Sequence, residues 1–169
     1  MRILITFIIV IFNIVFESTF LHAIQIRGIL PNTTLIIIVS FALLRGKYEG
    51  AFTGFLCGLL HDIFFGRTKF YFALIGLLMG YIVGKANKNF FRESYVISSI
   101  VTAISTIIFN IIIYITNFML DGEIGFLNYF IYILLPETVY TTIFSLIGYR
   151  ILYSINEMLE SKEQRKRFR

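Results

Sequence analysis

The stretch SYVISSIVTAISTIIFNIIIYITNF, residues 94–118, contains no charged side chain. As a helix it would reach about 38 Å, more than the ~30 Å hydrocarbon core of a bilayer. Ser99, Thr102, Thr106, Asn110 and Asn117 recur at spacings of 3, 4, 4 and 7, which places them on one helix face. Such groups hydrogen-bond between transmembrane helices, at about 0.6–2 kcal/mol each. The stretch therefore predicts a membrane-spanning helix whose polar side looks into a bundle or at another protein. The face is too weakly polar to line an ion channel.

Working outward, apolar blocks and their breaks predict spans near 3–22, 30–45, 48–65, 69–86, 94–118 and 127–154, followed by a basic tail over 157–169. Composition agrees: the 169 residues are 57% hydrophobic and 15% charged, with a mean hydropathy of +0.82. A soluble fold could not hide that much apolar surface. The expected architecture is all-α, one polytopic bundle of about six transmembrane helices over residues 1–156. The first block is read as a retained span and not a cleaved signal. Ile3 to Phe20 is long for a signal core, Asn13 and Glu17 interrupt it, and no small-x-small site follows. Pro31 suits the first turn of the second helix, and Arg45-Gly46-Lys47 makes a short turn into the third. Because His61-Asp62 falls inside the third span, a re-entrant segment is an alternative there.

Lys and Arg are retained on the cytoplasmic side of a membrane. With six spans, twelve of the fifteen fall on one face: Arg2, Arg45, Lys47, Lys85, Lys88, Arg92, Arg150 and the five basic residues of the tail. Arg27, Arg67 and Lys69 fall on the other. Both termini are predicted cytoplasmic.

Two glycine tracks stand out. Gly50, Gly54 and Gly58 lead at four-residue steps to Asp62, and Gly76, Gly80 and Gly84 repeat the spacing in the next span. A missing side chain lets a second backbone approach, which replaces the hydrophobic drive that lipid cannot supply. These faces pack the bundle against itself or offer a groove to a partner or a second copy. Three acids, Glu17, Asp62 and Glu137, lie at membrane depth, where a charge costs roughly 2.5–3.5 kcal/mol and requires a partner or water. Asn13, one turn before Glu17, is a ready donor. Glu137 shares a face with Thr141 and Ser145, and Pro136 should kink the last span, freeing a carbonyl. Asp62 reads as a cap or ion pair at a helix end, or as a partner-facing group.

The single Cys57 reads as packing. His22 and His61, on different spans, make no metal set. The sequence contains no phosphate loop, nucleophile elbow or Asp-rich metal motif, so an enzyme is not expected, nor is a cofactor, a metal or nucleic-acid binding. The tail ending Lys-Glu-Gln-Arg-Lys-Arg-Phe-Arg either lies on anionic lipid or docks a cytoplasmic partner.

From Leu30-Pro31-Asn32 through Leu43-Leu44-Arg45-Gly46-Lys47-Tyr48-Glu49-Gly50, and on through Gly54 and Gly58 to Leu59-Leu60-His61-Asp62, the chain resembles the rod shape-determining protein MreD family. Gly80-Tyr81-Ile82-Val83-Gly84 matches a further element of that pattern. Where Phe70 stands the family often has glycine, so close packing at the start of the fourth span is expected to be weaker. The resemblance implies a non-enzymatic member of the bacterial cell-elongation machinery in the cytoplasmic membrane. It would associate with the bitopic protein MreC and, through it, with MreB filaments and the RodA/class B transpeptidase peptidoglycan synthase. The family is also similar in fold to the substrate-binding membrane subunits of energy-coupling-factor transporters, which makes a small-molecule-binding transporter subunit the alternative.

Overall fold

The computed structural model describes residues 2–21, 25, 28–65, 70–86, 94–121 and 125–167, with backbone only at 2–3, 20–21, 117–121 and 162–167. Helices account for nearly all of it: α1 (Arg2–Phe16), α2 (Thr33–Arg45), α3 (Lys47–Phe65), α4 (Tyr71–Ala86), α5 (Tyr95–Asp121), α6 (Phe126–Tyr129) and α7 (Leu135–Arg167). A π turn, Glu17–Leu21, follows α1, and a second, Phe130–Leu134, joins α6 to α7. No strand occurs among the described residues. Tyr95–Thr116 and the stretch Phe126–Ser161 are each long and apolar enough to cross a bilayer, whereas Leu4–Thr19, Thr33–Arg45 and Tyr71–Ala86 are shorter apolar helices. Helix α3 runs unbroken for 19 residues.

The polarity of the surface is inverted relative to a water-soluble protein. On α5, Val96, Ile100, Ile104, Ile108 and Ile111 are exposed, while Ser98, Thr102, Ser105, Thr106 and Asn110 are buried. Helix α7 repeats this with Val139, Ile143, Ile147 and Ile151 outside and Thr141 and Ser145 inside. Exposed apolar helix faces of this extent need lipid as solvent, because water would drive them together. The all-α membrane bundle expected from the sequence is the fold observed.

Helix α2 is its axis. Every residue from Leu35 to Leu44 is buried, as befits a helix apolar all round. Leu35, Ile38 and Phe41 join a core with Val10 of α1, Cys57 of α3, Met79 of α4, Phe109 of α5 and Leu152 of α7. Asn32, one residue after Pro31, caps α2: its side chain accepts from the Leu35 N–H at 3.0 Å. Pro31 thus precedes the helix instead of entering its first turn, because an asparagine can satisfy a free N–H and proline cannot. A single residue, Gly46, separates α2 from α3. Its φ of 90° lies in the left-handed region, which lets the chain reverse there without a β-carbon clash.

The bundle has two chemically distinct ends. At one, the buried Arg45 guanidinium donates to Asn156 of α7 at 2.7 Å and Thr6 of α1 at 3.1 Å, pairs with Glu49 of α3 at 3.4 Å and lies 4.5 Å from the Phe41 ring. Lys47 packs beside Gly84 at this same end. The opposite end gathers Glu17, Asp62 and Glu137. The polar tail is no separate segment: α7 continues through it to Arg167.

Candidate functional site: an acidic polar layer and a glycine-lined hairpin

The acidic end is built around the start of α2, where Asn32, Thr33 and Thr34 present amide and hydroxyl groups to both sides. Toward α1, the Glu17 carboxylate accepts from Thr34 at 3.0 Å, Asn13 at 3.4 Å and Thr33 at 3.5 Å. Asn13 also donates to the Thr34 hydroxyl at 3.2 Å. The π turn starting at Glu17 is a common accompaniment of functional sites in helices. Toward α7, the Asn32 amide donates to Glu137 at 3.4 Å and its backbone N–H to the Thr141 hydroxyl at 3.0 Å. Asn110 of α5 also hydrogen-bonds Glu137, and it accepts from the Tyr129 hydroxyl at 3.0 Å. Two carboxylates are thus held in one layer by amides and hydroxyls from five helices.

Pro136 lies at the second position of α7, directly after the Phe130–Leu134 π turn. Proline has no N–H to offer the carbonyl four residues back, and the Leu135 N–H pairs with Phe130 instead. The interruption expected at Pro136 takes this form.

Asp62 serves a neighbouring helix. Its two oxygens accept from the N–H groups of Phe72 at 3.1 Å and Ala73 at 2.9 Å, which are free donors in the first turn of α4. It is therefore a cap supplied across the hairpin. Gly66, Arg67, Lys69 and His22 lie outside the described residues.

The two glycine tracks face each other. Gly50 opposes Gly80, Gly54 opposes Gly76, Gly58 meets Phe72 and Ala73, and Gly84 meets Lys47. A β-carbon on Gly54 would overlap the Gly76 carbonyl, and one on Gly50 would sit 2.7 Å from Gly80 O and the Ala42 β-carbon. Backbone-to-backbone contact of α3 with α4 is possible only because these positions lack side chains.

The α5 polar face looks into the bundle, but its bonding differs from expectation. Ser99, Thr102 and Thr106 donate to carbonyls four residues back in α5 itself, at 2.8–2.9 Å. A hydroxyl at membrane depth can satisfy itself in this way, leaving a small surface for close helix approach. Asn117 has no described side chain. Sequence reasoning missed Asn32, Thr33 and Thr34 as the organising groups. The Pro-Asn-Thr-Thr run before an apolar block is a capping signature that marks their place, though not their partners.

No curated protein and no solved structure matches the chain. A family model, rod shape-determining protein MreD, matches residues 1–159, which takes in both glycine tracks, all three acids and the α2 axis. The chain belongs to the MreD family and takes part in rod shape determination.

Proposed function

We propose that the protein is a non-enzymatic membrane scaffold of the bacterial cell-elongation complex. It binds an MreC-like bitopic protein and, through it, supports the MreB-like filament and the RodA/class B transpeptidase synthase in building peptidoglycan. The family match over residues 1–159 carries this reading. The exposed apolar faces of α1 (Ile8, Ile11, Phe12 and Val15) and α7 (Val139, Ile143 and Ile147) give a partner helix room to pack within the lipid. In this reading the glycine tracks act by fixing the α3–α4 hairpin, and Glu17, Glu137 and Asp62 fix the register in which a partner helix seats. The protein crosses the cytoplasmic membrane six times, with both termini in the cytoplasm beside Arg45 and Lys47.

To test it, the tagged chain is extracted in mild detergent, with and without prior crosslinking. An MreC-like protein should co-purify; its absence after crosslinking overturns the scaffold. The transporter-subunit alternative predicts a retained ligand and an ATPase encoded nearby. Against it, the cavity between α2, α3, α4 and α5 measures about 30 Å³, whereas small-molecule sites occupy roughly 300–1,000 Å³.

A further inference from the structure

That cavity carries a different inference, independent of the partner reading. Its apolar wall includes Ile38 of α2, Gly58 of α3 and Phe109 of α5; its polar lining is Asn32, Thr34 and His61. The volume of about 30 Å³ exceeds the roughly 10–15 Å³ that one water requires, provided two or more polar partners surround it.

Those partners are present. Nδ1 of His61 is buried and makes no hydrogen bond to any described residue. The ring packs on Phe72 and Phe65, with centroids at 4.6 and 5.2 Å. Leaving such an atom unbonded costs about 1–3 kcal/mol. Asn32 has given one amide hydrogen to Glu137 and one oxygen lone pair to the Leu35 N–H, so one of each remains. Thr34 has given its hydroxyl hydrogen to Glu17 and accepted from Asn13, so one lone pair remains.

We propose that the cavity is a binding site for one water molecule, which donates to Nδ1 of His61 and bonds to Asn32 or Thr34. This fixes His61 in the neutral form carrying its hydrogen on Nε2. It also joins α3 to the Glu17 and Glu137 clusters, so that a single hydrogen-bonded layer crosses α1, α2, α3 and α7.

The test is water-edited solid-state NMR on the full-length, isotope-labelled protein in lipid bilayers. Ile38 lines the cavity and its neighbour Val39 does not, yet they are equally buried, at 1% and 0% exposure. Magnetisation from water should reach Ile38 methyls several-fold faster than Val39 methyls, and His61→Phe should abolish the difference while His61→Gln retains it. Equal transfer to Ile38 and Val39 in the unsubstituted protein overturns the site, whatever the variants' stability. Transfer to Ile38 that persists in His61→Phe overturns the role of His61.

Discussion

At the residue scale, the start of α4 concentrates two oddities. Phe70 has φ of 66°, a left-handed conformation that costs an L-residue about 1–2 kcal/mol. It is also the N-terminal neighbour of α4 and has no side-chain acceptor, so the helix takes its cap from Asp62. Phe70→Gly should raise the thermal midpoint of the detergent-purified protein by the equivalent of about 1 kcal/mol, since the extra freedom of unfolded glycine takes back part of the relief. Phe70 is largely exposed, so little packing is lost. Asp62→Ala should lower stability by about 0.5–2 kcal/mol, with Asp62→Asn costing less because it keeps one acceptor. Thermal unfolding monitored by fluorescence size-exclusion chromatography checks both. Asp62 was legible as a helix-end group, because acids near a span boundary need donors. Which helix it caps was not, since that depends on the fold-back of α4 onto α3.

At the scale of elements, the α3–α4 hairpin is the most constrained pair. Four-residue glycine spacing made the tracks visible in the sequence; their mutual opposition needed the antiparallel register that pairs Gly54 with Gly76 and Gly50 with Gly80. Gly54→Ala should destabilise the bundle by about 1–3 kcal/mol or more, because the added carbon meets backbone that cannot rotate away. Gly148→Ala is the comparison: there the added carbon meets only the Ile36 methyl at 2.9 Å, and the loss should be smaller. Helix α5 was readable almost to its ends, since an uncharged stretch of that length has few other fates. Its hydroxyls were read as bridges to other helices, whereas Ser99, Thr102 and Thr106 bond to their own. Periodicity shows which way a side chain points, and the choice between an intrahelical carbonyl and a neighbouring helix turns on distances that periodicity does not contain.

At the scale of the whole molecule, the ends of α1, α2, α3 and α7 that surround Arg45 share one pole, and the three intramembrane acids share the other. A phosphatase fused after Arg169 should therefore be inactive and a cytoplasmic fluorescent reporter bright; the reverse pattern refutes the orientation. Pole assignment followed from counting Lys and Arg, but the depth of the poles did not. Helix α2 has 13 residues and so spans only about 20 Å. Arg45 closes one end of it, and Asn32, bonded to Glu137, closes the other. The dry septum along the molecular axis is therefore about 10 Å thinner than the ~30 Å lipid around it. Across an energised membrane, voltage drops where the dielectric is low, so the field along α2 would be steeper by about half than in the adjoining bilayer. The protein would then act as a local thin spot in the insulator, with its carboxylates and its arginine seated at the two plates.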